Sequence, residues 1–150
     1  MQQGEAPLVP RPSQQFLSDT RKREHPRCMV CSPTNPVGLQ LGFHVCSDGG
    51  VEAQCPSNRL FEGYAGQLHG GLISAVMDAA MCNCLFAHGI TAVTAELTIQ
   101  YRLPVATDHT ATVRARLTDS YRPLHCLEAE LLQNNAVVAT AQAKFFERSR

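Results

Sequence analysis

An α+β domain, in which one long helix is wrapped by a curved antiparallel β-sheet, is the fold class predicted by this 150-residue sequence. Two observations carry that prediction. The first is the apolar run HGGLISAVMDAAMCNCLF, which sets Leu72, Ile73, Val76, Met77, Met81, Leu85 and Phe86 nearly all round a helix from about 70 to 87. A helix of that kind must be buried on most sides. The second is a set of four later stretches in which apolar and polar residues alternate, each a strand with one polar face. Consecutive strands of this type make an antiparallel sheet with its other face on the core.

Taken in order, residues 1–12 carry Pro7, Pro10 and Pro12, have little to bury, and read as a disordered or loosely docked tail. Residues 13–24 can form a short helix, which makes 1–27 an N-terminal tail and helix ahead of a domain at 28–150. CMVCSPTNPVG is loop, punctuated by Pro33, Pro36 and Gly38. Residues 39–46 and 51–55 read as two strands about an Asp48-Gly49-Gly50 turn. Gly63 and Gly66 break the chain before the long helix, and Gly89 stops it. In 93–103, Val93, Ala95, Leu97, Ile99, Tyr101 and Leu103 alternate with Thr94, Glu96, Thr98, Gln100 and Arg102. Further strands follow at 110–118, around Leu127, Ala129 and Leu131, and from Val137 to Phe145, with Asn134-Asn135 as a tight turn.

Composition excludes several function classes. Lys+Arg and Asp+Glu balance at 13 each, so charge offers no argument for nucleic acid or a membrane surface. His69, Asp78 and Asn83 interrupt the one apolar run short of the roughly 20 residues that a membrane span needs. The polar N-terminus has no signal-peptide core. Seven irregularly spaced cysteines argue against a disulfide framework and for a reducing cytoplasm. No glycine-rich phosphate loop is present.

Asp78 is the only charged side chain between Glu62 and Glu96. Burying a carboxylate in such a stretch is unfavourable unless it has a partner. A helix that starts near Gly70 leaves its first N–H groups unpaired at the positive end of the macrodipole. Gly70 and Gly71, lacking side chains, let a carbonyl approach those donors as it would an oxyanion hole. His-Gly-Gly alone is no more than a helix start with close packing behind it; Asp78 is what turns it toward a site. Eight residues of helix place Gly70 and Asp78 about 12 Å apart, too far to act on one carbonyl carbon. Two antiparallel helices about a two-fold axis bring Gly70 of one chain to Asp78 of another. Asp78 then serves as general base or as nucleophile, or else simply hydrogen-bonds to a neighbouring chain. Its face of the helix, with Gly71, Ser74, Ala75, Cys82 and Leu85, is mostly small and leaves room for a ligand.

GYAGQLHGGLISAVMDAAM followed by TAELTIQYRLPV resembles the hotdog-fold thioesterases, and most of all their phenylacetate-degradation (PaaI-like) branch. CMVCSPTNPVGLQL is similar to a segment at the front of some members, so the resemblance covers about 28–146. It implies the hotdog fold, hydrolysis of an acyl-CoA thioester without a cofactor, and a homodimer, or a dimer of dimers, with two equivalent interfacial sites. It also implies that Thr94 orients the water or the carboxylate; His69, just before the helix, is expected to brace the loop or lie near the thioester. The acyl group is then expected in a tunnel between helices, lined partly by Met77, Met81, Leu85 and Phe86, with Ser74 and Cys82 on the Asp78 face. Arg102, Arg114, Arg116 and Arg122 are candidates for the CoA phosphates. One position departs from the family pattern: where many relatives carry a water-positioning Asn, seven residues before the first glycine, this chain has Gly63, and neither Asn58 nor Glu62 inherits the role. Two alternatives stay open, a non-catalytic acyl-CoA-binding protein and a hydratase, which needs a His–acid pair.

His25-x-x-Cys28-x-x-Cys31 has metal-like spacing, yet a four-ligand zinc site needs a second half. Cys46, Cys55 or the Cys82/Cys84 pair would have to supply it and none repeats the spacing, so no metal is expected. Cys82 as a nucleophile lacks an evident activating histidine.

Overall fold

The chain folds around one six-stranded sheet and one central helix in a computed structural model that describes residues 9–149; the part of the expected tail at 1–8 lies outside them. Helix α1 (Gln14–Glu24) precedes β1 (His44–Val45) and β2 (Val51–Cys55); α2 (Gly70–Ala87) follows, then β3 (Ala92–Tyr101), β4 (Ala111–Tyr121), β5 (Leu124–Gln133) and β6 (Ala136–Glu147). The strand order is β1-β2-β4-β5-β6-β3, antiparallel throughout. This is the expected hotdog fold. Helix α2 crosses the inner face of the sheet between β2 and β3, so β3 becomes the far edge strand.

Local signals set the ends of α2. His69 caps the start, its ring Nδ1 accepting from Gly71 N–H at 2.9 Å. At the other end Gly89 takes φ +71°, its N–H bonds to Phe86 O, and Ile90 N–H bonds to Leu85 O, a Schellman closure. By length and composition α2 could cross a membrane, but 67% of it is buried inside the fold. The sheet's inner face is built largely from small residues, Ala111, Ala115, Ala129, Ala139, Ala141 and Ala143, all buried. Small residues let the bulky side chains of α2 pack close to the backbone of the sheet. Asn134 and Asn135, at φ 51° and 61°, make the expected turn between β5 and β6.

Helix α1 belongs to the same core. Leu17 is buried there, Ser13 N–H bonds to Ala87 O, and His88 Nδ1 donates to Pro10 O at 2.7 Å. The chain from Pro10 onward is thus docked on the C-terminal end of α2.

Two elements differ from expectation. Only His44–Val45 of the first expected strand joins the sheet, because Leu39 and Leu41 N–H pair instead with Met29 and Val30 carbonyls, each at 2.8 Å. In β3 the alternation is interrupted. The register against β6 shifts between Thr94 and Glu96, so that Thr94 faces Phe145 while Leu97 faces Ala143. A bulge of one extra residue reverses the parity of everything beyond it. Thr94 and Leu97 therefore share the core-facing side, which strict alternation would have forbidden.

Candidate active site

Asp78 lies half-buried on the side of α2 that faces β3. Thr94 Oγ1 donates to its Oδ1 at 2.7 Å. A hydroxyl donor to a carboxylate is a short, charge-assisted bond that holds one oxygen in place and leaves the other available.

The start of α2 offers one free donor rather than two. Gly71 N–H is taken by the ring of His69, and Leu72 and Ile73 N–H both reach His69 O. Gly70 N–H has no acceptor among the described residues. The Gly70 carbonyl is fixed from the side: Tyr101 Oη donates to it at 2.9 Å and Ser74 Oγ lies 3.2 Å from it, with the two hydroxyls 2.6 Å apart. Ser74 is thus a brace shared with the end of β3. His69 is anchored by its own N–H to Phe61 O at 2.8 Å. Because α2 is unbroken from Gly70 to Asp78, the free donor and the acid of one chain stand about 12 Å apart along it.

A family model of the thioesterase superfamily matches residues 65–145, which takes in α2 and the sheet from β3 into β6. The chain belongs to the thioesterase superfamily. No curated protein matches it. Among solved structures, it is similar to the Escherichia coli PaaI protein from the phenylacetic acid degradation operon, at 15% identity over 90% of this chain and 95% of that one, TM-score 0.76. It is similar to the thioesterase superfamily protein RHA08564 at 19% identity over 78% of this chain, TM-score 0.74, and covers 61% of that longer chain. It is also similar to a hypothetical thioesterase of Streptococcus pneumoniae solved with coenzyme A, at 18% identity over 73% and 87% of the two chains, TM-score 0.68. These likenesses establish the shared hotdog fold. The streptococcal protein has also been solved with alanine replacing an aspartate and, separately, a threonine sixteen positions further on; Asp78 and Thr94 are 16 apart.

As a superfamily member, this chain departs from expectation in where several side chains lie. Met77, Met81 and Leu85 are each 0% exposed and Phe86 is 1% exposed. They fill the protomer's own core beneath the sheet and do not line an opening beside Asp78. For Met77 the cause is rotational, since it precedes Asp78 by one residue and so points about 100° away round the helix. Cys82 is buried as well, and its thiol is pushed up to about 12, first by burial and then by the nearby Asp78 carboxylate. A thiol in that state is a poor nucleophile, although His25 Nε2, unforeseen in the sequence, lies 3.8 Å from its sulfur.

Arg102 is placed away from α2. Its guanidinium bonds to Gln100 Oε1 and Thr140 Oγ1 on the outer face of the sheet. Arg114, Arg116 and Arg122 are exposed and paired with Glu52, Glu128 and Glu147. Gly63 is packed against the histidine cap: a Cβ there would stand 3.3 Å from His69 Cα, so an asparagine would press on the loop. Glu62 accepts from Gly66 N–H at 3.1 Å, and Asn58 from Leu60 N–H at 2.9 Å, so both serve the loop backbone.

A His–acid pair does exist, but away from Asp78. His125, 0% exposed, meets Ser120 Oγ at 2.7 Å through Nδ1 and Glu147 Oε1 at 2.9 Å through Nε2. Both ring nitrogens are engaged within the fold, so this pair is sealed from any substrate. Glu147 sits below the usual carboxylate range, chiefly because Arg122 donates to it and also because His125 does.

Proposed function

We propose that this chain is an acyl-CoA thioesterase whose site forms between two copies, with Gly70 of one opposite Asp78 of the other. The observation that carries the proposal is the 2.7 Å Thr94–Asp78 hydrogen bond on a half-buried side of α2, a helix whose first N–H, at Gly70, has no acceptor among the described residues. The matching aspartate–threonine spacing in the streptococcal thioesterase supports it, as does the coenzyme A bound there. Edge strand β3 supports the two-copy arrangement: it pairs only with β6 among the described residues, and Val93 and Tyr101 along it are about half exposed.

In the reaction, the thioester carbonyl oxygen points at Gly70 N–H and the positive end of α2. Asp78 takes a proton from water as its oxygen attacks the carbonyl carbon, and the resulting oxyanion stays on the Gly70 donor. Collapse of that intermediate breaks the carbon–sulfur bond and expels CoA thiolate, leaving the free acid. Asp78 attacking directly, to give an anhydride that water then opens, uses the same groups. Single turnover in ¹⁸O-water that labels the carboxylate of Asp78 identifies the anhydride route with water opening it at the Asp78 carbonyl, because the general-base route places the label only in the product acid.

Gly63 favours a second reading, a protein that binds acyl-CoA without turning it over, since no side chain stands there to hold water. Free-thiol release from a panel of aliphatic and aromatic acyl-CoAs tests both. Hydrolysis that is lost in Asp78→Asn is expected; binding without turnover supports the second reading and contradicts the first.

A further inference from the structure

Three potential metal ligands converge outside the proposed catalytic face. His25, one residue beyond α1, and Cys28 and Cys31, in the loop after it, bring one ligand atom each to within 4.8 Å of one another. His25 Nδ1 lies 3.5 Å from Cys31 Sγ. A tetrahedral zinc ion with Zn–S of about 2.3 Å and Zn–N of about 2.0 Å has an N···S edge of about 3.5 Å and an S···S edge of about 3.8 Å. The spacing found is that of a site needing only small rotations to close.

The surroundings orient these ligands. The His25 ring packs edge-on against Phe86 of α2, ring centroids 4.8 Å apart. Its Nε2 faces Cys82 Sγ at 3.8 Å; with the proton on Nε2, the Nδ1 lone pair is free for a metal. A partner on the distal nitrogen is how ligand histidines are held. Val30 N–H donates to Cys28 Sγ at 3.4 Å, and Arg21 Nη1 holds the Cys31 carbonyl at 3.3 Å. The only buried side-chain oxygen without a partner among the described residues belongs to Asn83, next to Cys82 on α2.

We propose that His25 Nδ1, Cys28 Sγ and Cys31 Sγ bind one zinc(II) ion that clasps the end of α1 and its following loop onto α2. Cys82 lies on the other side of the imidazole, as a group that orients His25 rather than a fourth ligand, so water completes the tetrahedron. Binding converts two thiols to thiolates and releases two protons to solvent, with no change of oxidation state. Two thiolates and an imidazole favour zinc over magnesium or calcium. Sequence spacing shows no second Cys-x-x-Cys to complete such a site, whereas the fold brings an orienting cysteine from a helix 57 residues away.

The test uses the full chain, reduced, stripped with a chelator and titrated with cobalt(II) and then zinc(II). One cobalt per chain with a thiolate-to-metal charge-transfer band, displaced by zinc, is expected. Cys28→Ser abolishes the band, and Cys46→Ser, in the separate His44/Cys46/Glu52 group, leaves it intact. Zinc also raises the melting temperature of the wild type but not of Cys28→Ser. Absence of a charge-transfer band in the wild type, which does not depend on any variant folding, overturns the proposal. So does a band that persists unchanged in Cys28→Ser.

Discussion

Thr94 reaches Asp78 because β3 runs one residue out of step with β6 at that point. Without the bulge at Ala95, either Thr94 or Leu97 would have to turn outward. With it, a polar anchor for the acid and an apolar contact for the core lie on one face of one strand. Bulges occur beside functional sites for this reason: they re-aim a side chain without ending the strand.

Thr94→Val keeps the shape of the side chain and removes the donor. Loss of one hydrogen bond to a charged group corresponds to about 1.5–3 kcal/mol, which becomes a fall in kcat of roughly ten- to a hundredfold if the bond orients Asp78 in the transition state. KM and melting temperature are expected to change little. Steady-state kinetics beside a thermal melt check both; an unaltered kcat would show that the bond only shapes the fold.

The two motif glycines are expected to respond differently. A Cβ on Gly70 meets the Tyr101 ring at an ordinary 3.5 Å, whereas one on Gly71 comes within 3.1 Å of His69 Cε1 and Nδ1. Gly71→Ala therefore disturbs the cap and is predicted to cost about 0.5–2 kcal/mol of stability. Gly70→Ala should fold nearly as the wild type does, yet lose thioester hydrolysis because the methyl crowds the free donor. Urea melts and thiol release on the same preparations separate these effects.

Much of this was legible from residue types with strong local meaning. Gly89 ended α2, Asn134-Asn135 turned β5 into β6, and His-Gly-Gly opened the helix where expected. What escaped depended on packing. Period-2 alternation cannot register an inserted residue, so Thr94 read as outward-facing. An all-round apolar helix does not disclose which side meets the sheet, which is why Met77, Met81 and Leu85 were expected beside the ligand and lie in the core. His69 reads as a site residue or a brace, and only its ring position shows that it consumes the Gly71 donor. Arg102 faces away because the strand that carries it presents Tyr101, not Arg102, to α2.

Glu147 links stability to pH. Its folded carboxyl lies below the ordinary value of 4.5, so it contributes stability at pH above that value. The contribution is lost as pH falls through the lowered folded value. Glu147→Gln is therefore predicted to melt below the wild type at pH 7, with the difference closing in acid as pH falls through that lowered value. Parallel melting curves across that range check it. A constant difference at every pH would mean that the charge is not what matters.

The central claim is that the acid and the donor of one site come from different chains, and a mixing experiment tests it most directly. Gly70→Ala and Asp78→Asn chains, each inactive alone, are unfolded together and refolded as an equal mixture. If sites form between copies, mixed dimers hold one site with both native groups, and about a quarter of wild-type thiol release returns. If Gly70 and Asp78 act within one chain, the mixture stays as inactive as its components, and that result would contradict the account.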